Sequence, residues 1–418
     1  MTAEIVSIGD ELLIGQVINT NASWIGEKLT EASITVRRVT IVGDNDSNIL
    51  EAFRSAFSHN DIIIVTGGLG PTHDDITRDC VATFFDTSLV LNILVLNDIK
   101  ERFARFNRPV TKLNEDQALV PECAQIIRNM NGTAPGYWIN KENKVFIVMP
   151  GVPREMKAMM EDFVLPGLKE LKRDDTHYLK QANILTTGIP ESTLFEKLGN
   201  LDELLEGAKL AFLPNYLGVR LRITVSGQEE NEVADRLNEI EQKIRSRVGR
   251  YIYGKDAETL SGVVGRLLKE RNLRISVAES CTGGNIANEI TNHSGSSDYF
   301  ERGVVAYSNA AKVEILNVDE DTLLEYGAVS KQTVEEMARG IRAISGSDIG
   351  LAISGILGPT GATNEKPVGT VYVGYADSGQ VFSKEFHFGD DRLVNKQRAT
   401  QAALELLRRA LLGISFEP

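Results

Sequence analysis

Ile275-Ser276-Val277-Ala278-Glu279-Ser280-Cys281-Thr282-Gly283-Gly284 is the stretch that decides how this chain folds. Ile275–Ala278 is a short apolar run of strand-forming residues, broken at once by hydroxyl and glycine residues that lead into a helix. A strand ending in a glycine turn and continuing as a helix is the repeating unit of an α/β sheet, which carries its ligand loops at the carboxyl ends of its strands. The turn projects Ser280 from the strand end, and its glycines permit close backbone approach. The first free N–H groups of the helix are expected to receive an oxyanion or a phosphate. The same residues also suit a tight strand–helix turn with no chemistry.

The pattern continues on both sides. A helix is expected over Leu260–Arg271, with strands over Val304–Tyr307, Ile349–Ile353, Thr370–Tyr375 and Val381–Phe386. A closing helix over Arg392–Leu412 places Ala399, Ala403, Leu406, Leu407 and Ala410 on one face. Near the N-terminus, Ile5–Ile8, Val36–Val42, Ile62–Val65 and Val145–Met149 read as strands, with helices over Ala22–Glu31 and Ile49–Phe57. Asn131-Gly132 is a hairpin signal. The middle differs: two β-like runs, Tyr178–Thr187 and Val219–Ser226, flank a helical stretch, and Glu229–Arg247 is a charged amphipathic helix. Gly249–Lys255 reads as a junction. The expected organisation is two three-layer α/β domains, 1–172 and 254–418, linked by a small α+β module, 173–253.

The 418 residues carry 45 Lys and Arg against 58 Asp and Glu, a net charge of −13. With 42% hydrophobic and 25% charged residues the composition excludes intrinsic disorder, collagen-like repeats and a disulfide scaffold. The acid excess argues against partners that are themselves polyanions, so neither nucleic acid nor membrane is expected. Three widely spaced cysteines, Cys80, Cys123 and Cys281, suit a reducing compartment. No apolar run approaches the ~20 residues of a bilayer span, and the N-terminus shows neither a basic segment nor an apolar leader. A cytoplasmic location is expected.

Two further stretches bear on Ser280. Gly303-Val304-Val305-Ala306-Tyr307-Ser308-Asn309 runs into Ala310-Ala311-Lys312, so a Tyr at a strand end and a Lys in the following helix can converge on one point. A serine needs a base, and a buried Lys with a lowered pKa, or a Tyr helped by Lys, would serve where His293 and His387 lack an obvious carboxylate partner. In isolation, Tyr307 also reads as a core residue and Lys312 as a solvated charge. The third stretch, Ile353-Ser354-Gly355-Ile356-Leu357-Gly358-Pro359-Thr360-Gly361 with Lys366-Pro367-Val368-Gly369-Thr370, is a glycine-rich loop suited to a phosphate or carboxamide.

Together with Gly295-Ser296-Ser297, these motifs resemble the CinA C-terminal domain family, whose activity is nicotinamide mononucleotide deamidation. The resemblance implies Ser280 as nucleophile and Tyr307 with Lys312 as the base system. Thr282, Gly283, Gly284, Gly355, Gly358, Thr360, Gly361 and Arg392 would line the substrate, with Arg392 on its phosphate. No cofactor is implied for this reaction. The amides near Thr282 and Gly283 are the candidates for an oxyanion hole, and Cys281 is the rival nucleophile. Two departures from the family stand out: Leu357, where a small Ala is usual and which is expected to narrow the loop, and Asn395-Lys396, where many members carry another Arg.

At the other end, Ser7-Ile8-Gly9-Asp10-Glu11 and Val65-Thr66-Gly67-Gly68-Leu69-Gly70-Pro71-Thr72-His73-Asp74-Asp75 each close a strand, and Glu155 follows Met149-Pro150-Gly151-Val152-Pro153-Arg154. A glycine loop beside paired acids suits a pyrophosphate held with a divalent cation. Equally, Asp74, Asp75 and Glu155 suit helix N-termini as acids complementing the macrodipole. These motifs resemble the molybdopterin-binding-like domain of CinA proteins, and Thr187-Gly188-Ile189-Pro190-Glu191-Ser192 resembles that family's KH-like module. The resemblance implies a metal-dependent ADP-ribose pyrophosphatase site of Asp10, Glu11, Gly67, Gly68, Gly70, Thr72, Asp74 and Asp75. Asp74, Asp75 and Glu155 would be the ligands of a divalent metal cation, with or without a monovalent one, and His73 could reach a phosphate. The expected protein is a homodimeric hydrolase of pyridine-nucleotide (NAD) salvage, acting on nicotinamide mononucleotide and on ADP-ribose. The reading from a different class is a non-catalytic pterin- or nucleotide-binding protein of a competence or DNA-repair assembly.

Overall fold

The computed structural model describes residues 1–171 and 178–415, so the expected boundary between 172 and 173 lies outside the described residues. The chain forms two compact units. One holds the N-terminal residues through Lys180 with Ser226–Ala234, and the other Gln181–Val225 with the chain from Asp235 onward.

The first unit is built on a six-stranded sheet in the order Thr35–Val42, Thr2–Ile8, Ile62–Thr66, Lys144–Met149, Gly136–Lys141, Gln125–Ile127. The first four strands run parallel, Gly136–Lys141 pairs antiparallel with Lys144–Met149, and Gln125–Ile127 pairs antiparallel with Gly136–Lys141. Period-two alternation splits the first strand between two cores: Ala3 and Ile5 meet Ile25 and Leu29, while Val6 and Ile8 meet Phe53 and Val81. Asn131-Gly132 lies within the long connection between Gln125–Ile127 and Gly136–Lys141, which do pair antiparallel. The tight hairpin turn falls instead at Glu142-Asn143, both with positive φ. Gly132 serves a different end, since a side chain there would run into the Glu155 carboxylate.

In the second unit a four-stranded sheet runs Lys209–Asn215, Gly218–Gly227, Tyr178–Thr186, Ile252–Lys255. The expected junction, Gly249–Lys255, is itself part of this sheet. Tyr251, Ile252 and Gly254 are buried, and Ile252–Lys255 pairs antiparallel with Tyr178–Thr186. Beside it lies a five-stranded sheet, Phe300–Val305, Ile275–Glu279, Ile349–Gly355, Thr370–Ala376, Val381–His387, parallel across its first three strands. Ile275 and Val277 point to the core formed by the helices Leu260–Glu270, Asn285–Thr291 and Arg392–Leu412. Ala278 points to the opposite core, against Asn309–Leu316 and Lys331–Ser345. The strand expected over Val304–Tyr307 ends at Val305, which frees Tyr307 from the sheet.

Two helical glycines differ in what surrounds them. A Cβ on Gly26 meets nothing within 4 Å, whereas one on Gly340 would run into the Leu316 carbonyl. Gly26→Ala should raise stability by about 0.5–1 kcal/mol through the unfolded chain's lost freedom. Gly340→Ala should lower it by about 1–3 kcal/mol through overpacking. Urea unfolding of the two variants reads opposite shifts in midpoint.

Candidate active sites

Ser280 follows the buried strand Ile275–Glu279, and its own N–H donates to the Ile353 carbonyl (3.1 Å), which fixes it against the central strand. The chain then turns through Gly283 (φ 58°) and Gly284 (φ 93°) into the helix Asn285–Thr291. These two conformations favour glycine.

The amides of that turn are already engaged. The Glu279 carboxylate, 1% exposed, accepts from the N–H groups of Gly284 (3.0 Å), Ile286 (3.1 Å) and Ala287 (2.9 Å). Gly283 N–H donates to the Ser280 carbonyl (3.1 Å). The expected anion site at the helix start is thus filled by the protein's own carboxylate, and Gly283 is not an oxyanion donor. Sequence reading missed Glu279 because capping by a residue that precedes the turn depends on how the turn folds back.

Lys312 enters from the next helix, Asn309–Leu316, whose N-cap is Ser308. Its side chain is 1% exposed, with Nζ 3.3 Å from Ser280 Oγ, 2.9 Å from the Ala306 carbonyl and 3.3 Å from that of Tyr307. No carboxylate pairs with it among the described residues, and burial lowers its pKa from the ordinary lysine value of 10.5. Cys281, the rival nucleophile, points into the apolar core. Burial there pushes its thiol up to about 12, so it is protonated at neutral pH.

Tyr307 stands apart from that pair. It is 61% exposed, and its hydroxyl accepts from Arg392 (3.2 Å) while another guanidinium nitrogen of Arg392 donates to the Gly358 carbonyl (2.8 Å). Only the main chain of Tyr307 reaches Lys312. The structure therefore groups Ser280 with Lys312, and Tyr307 with Arg392 and Gly358. Lys396, one helical turn beyond Arg392, brings its Nζ to 3.7 Å from where a Gly283 Cβ would stand. Thr282 is fully buried with its hydroxyl unpartnered. Gly355 fits tightly against Val371, and Thr360 and Gly361 lie on the exposed outer loop. Leu357 does not narrow that loop: its side chain joins the core, and Asn395 Nδ2 holds its carbonyl (3.1 Å). Of the two histidines, His293 bonds Thr259 and Ser261, and His387 does find a partner, exposed Glu385 at 3.3 Å.

The first unit has a cavity of about 450 Å³ lined by Glu11, Gly67, Gly68, Gly70, Asp74, Asp75 and Glu155. Gly67 (φ 108°) allows that loop to pass against the Ile8 carbonyl. Asp10 does not line the cavity, but it is paired with Asp44, which does: each accepts from the other's backbone N–H, at 3.2 and 3.0 Å. Burial, with the nearby charges of Asp10, Glu11 and Asp74, raises the pKa of Asp44. Thr72 donates its N–H (3.0 Å) and hydroxyl to Asp75.

The acids expected to bind a metal do not assemble. No group of three His, Cys, Asp or Glu side chains among the described residues could hold a metal ion. Glu155 accepts from Asn129 Nδ2 (2.7 Å), Asp75 is occupied by Thr72, and Asp74 faces solvent beside fully exposed His73. Sequence reading passed over Asn21 and Gln117, two buried lining residues whose carbonyl oxygens lack partners.

The fold and the two glycine-lined sites define a multidomain α/β protein with a sheet-based module between its ends. The pattern described as "Probable molybdopterin binding domain" matches residues 4–170, "Damage-inducible protein CinA KH domain" 181–254 and "CinA C-terminal domain" 257–411. A CinA-like protein of Chloroherpeton thalassium is 44% identical over 420 residues, covering 98% of this chain and 99% of its own. One of Kosmotoga olearia is 43% identical over 414 residues, covering 99% and 100%. A solved CinA superfamily structure from Klebsiella pneumoniae is 36% identical over 37% of this chain and 96% of its own, with a TM-score of 0.36. The chain belongs to the CinA family. Among the described residues, no helix is long and apolar enough to cross a membrane.

The environments of the three thiols predict their reactivity. Cys123 is exposed, while burial pushes Cys80 up to about 11 and Cys281 higher still. At pH 8 a disulfide reagent should label one thiol per folded chain quickly and all three only after denaturation, read by thionitrobenzoate absorbance.

Proposed function

We propose that the second unit deamidates nicotinamide mononucleotide, with Ser280 as nucleophile and Lys312 as its base. The observation that carries this reading is the buried Lys312 amine 3.3 Å from Ser280 Oγ with no carboxylate beside it. A neutral amine has two N–H bonds and one lone pair. The carbonyls of Ala306, Tyr307 and Ser308 surround the amine at 2.9, 3.3 and 3.5 Å and can take its two N–H bonds, and the neutral amine's lone pair is then directed to the Ser280 hydroxyl proton.

Ser280 Oγ adds to the carboxamide carbon and its proton passes to Lys312. That proton moves to the amide nitrogen as the C–N bond breaks and ammonia leaves. Water then adds to the acyl-enzyme through the same base, releasing nicotinate mononucleotide and Ser280. We assign Tyr307 with Arg392 to the phosphate end of the substrate rather than to the base, because the Tyr307 hydroxyl bonds Arg392. The buried Ser–Lys pair is what disfavours a purely non-catalytic role for this unit.

Ammonia release from nicotinamide mononucleotide by the full chain tests the reading. Ser280→Ala and Lys312→Met should each lower kcat by about 10³ or more, while Cys281→Ala retains turnover. No release by folded wild-type protein, or loss of turnover only in Cys281→Ala, would overturn it. Because the base must be neutral, kcat/KM should rise with pH as Lys312 loses its proton, with a midpoint below 10.5. A Lys312→Met variant with residual activity should lack that limb.

For the first unit we propose a ligand of nucleotide type, with ADP-ribose as the candidate. The glycine loop and the unpartnered Asn21 and Gln117 oxygens on one cavity support this. The side chains present do not fit a protein-held divalent cation. ADP-ribose turnover, measured with and without a divalent cation, should fall at least about tenfold in Asp75→Ala, since Asp75 braces the loop through charged hydrogen bonds. Absence of turnover under both conditions would reject ADP-ribose as substrate.

A further inference from the structure

Asn395 follows Arg392 by three residues on the helix Arg392–Leu412, yet the two side chains have opposite surroundings. Arg392 is exposed, whereas Asn395 is fully buried. The Asn395 Nδ2 donates to the Leu357 carbonyl (3.1 Å) and to the Gly389 carbonyl (2.7 Å). A carboxamide nitrogen has two N–H bonds, and both are used here. No other donor reaches either carbonyl among the described residues. The Asn395 Oδ1, by contrast, is buried without a partner.

Packing alone does not call for this residue. Asn is a weak helix former, and a buried carboxamide oxygen with no partner is unfavourable. Leu357 and Ala399, one turn further along the helix, belong to the apolar core, so an aliphatic side chain would suit position 395 better. What only the carboxamide supplies is one atom that donates to two carbonyls at once.

The place of those carbonyls indicates the purpose. Leu357 precedes Gly358, whose carbonyl accepts from Arg392 (2.8 Å), and Gly389 lies three residues before Arg392. The two segments are laced together elsewhere as well. Ile356 N–H donates to the Thr370 carbonyl (2.8 Å), Gly369 N–H to that of Ile356 (2.7 Å) and Phe388 N–H to that of Gly369 (2.9 Å). Asp391 then caps the helix by accepting from the N–H groups of Leu393 and Val394 (both 2.9 Å). Asn395 closes this lacing from the helix side, beneath the contacts of Arg392 with Gly358 and with the Tyr307 hydroxyl (3.2 Å).

We propose that Asn395 is a positioning residue: by tying the Leu357 and Gly389 carbonyls to the helix it aims Arg392 at the substrate phosphate, and so sets affinity rather than the chemical step. The inference rests on the assignment of Arg392 to the phosphate end of the substrate. Ser280 and Lys312 are held by other contacts, the Ile353 and Ala306 carbonyls, so loss of the clamp leaves them in place.

Calorimetric titration of the full Ser280→Ala chain with nicotinamide mononucleotide reads affinity without turnover. Asn395→Leu, and Asn395→Ser as a second variant, should each weaken binding about tenfold. In an Arg392→Ala background the same substitutions should change affinity by less than about twofold, because their effect passes through that guanidinium. With Ser280 intact, KM should rise by about the same tenfold while kcat stays within about twofold. Hydrogen exchange without substrate should quicken at Ile356, Gly369 and Phe388 and stay unchanged over Ile275–Glu279. Unchanged affinity or unchanged exchange in both variants overturns the proposal. So do losses that add fully to that of Arg392→Ala, a fall in kcat at unchanged KM, failure of both variants to fold, or no binding by the Ser280→Ala chain at millimolar concentration. Binding without ammonia release by the wild-type chain strikes the deamidase reading and leaves this one. Unchanged affinity in both variants beside normal wild-type turnover strikes only this one.

Discussion

The Glu279 carboxylate and the three backbone N–H groups that converge on it determine what the C-terminal site can do. A buried carboxylate is costly without compensation, and here no cation pairs with it among the described residues. Its compensation is the start of the helix Asn285–Thr291, where unsatisfied amides and the positive end of the peptide dipoles coincide. The backbone can reach that geometry only through two positive-φ residues, which is why Gly283 and Gly284 stand where they do. Ser280 is left at the strand end with its own N–H tied to Ile353, so its hydroxyl is placed by main chain on both sides.

Lys312 is the complementary case. It is as buried as Glu279, yet it is compensated by neutral carbonyls. Carbonyl dipoles solvate a protonated amine incompletely, so burial prevails and the pKa falls. A carboxylate beside it would have reversed that balance and left an ion pair with no basic lone pair. The two buried groups are thus compensated differently: backbone amides donate to the Glu279 carboxylate, while burial lowers the pKa of Lys312 toward the neutral base. Arg392, at the exposed rim, is held instead by the Tyr307 hydroxyl and the Gly358 carbonyl.

Much of this was legible in the sequence, and the limits have physical causes. Runs such as Ile62–Val65 and Ile275–Ala278 are buried on both faces, so their composition alone marked them as strands. The spacing that carries Lys312 to Ser280 was legible for a related reason, because strand, turn and helix geometry constrain short separations tightly. The role of Tyr307 was not, since the strand stops two residues before it and the side chain swings to Arg392, distant in sequence. Acids in the first unit misled for the reason that any short polar side chain can: Asp75 and Glu155 answer local donors, Thr72 and Asn129, before they can answer a metal. The expected junction Gly249–Lys255 holds the last strand of the middle sheet, Ile252–Lys255, which at four residues carries too little pattern to announce itself.

Charge separates the two units more than fold does. In the first, Asp44 sits among Asp10, Glu11 and Asp74, and burial first, then those neighbouring carboxylates, raise its pKa. In the second, Arg392 and Lys396 lie one helical turn apart and pair with no carboxylate among the described residues, so an anion entering there meets two free cations. An acidic chain can therefore admit a small phosphate at one site while repelling a polyanion over its whole surface, because screening confines each surface charge to roughly 8–10 Å. The excess of acid over base therefore disfavours a long polyanion more than it disfavours a single small anion beside a local cation.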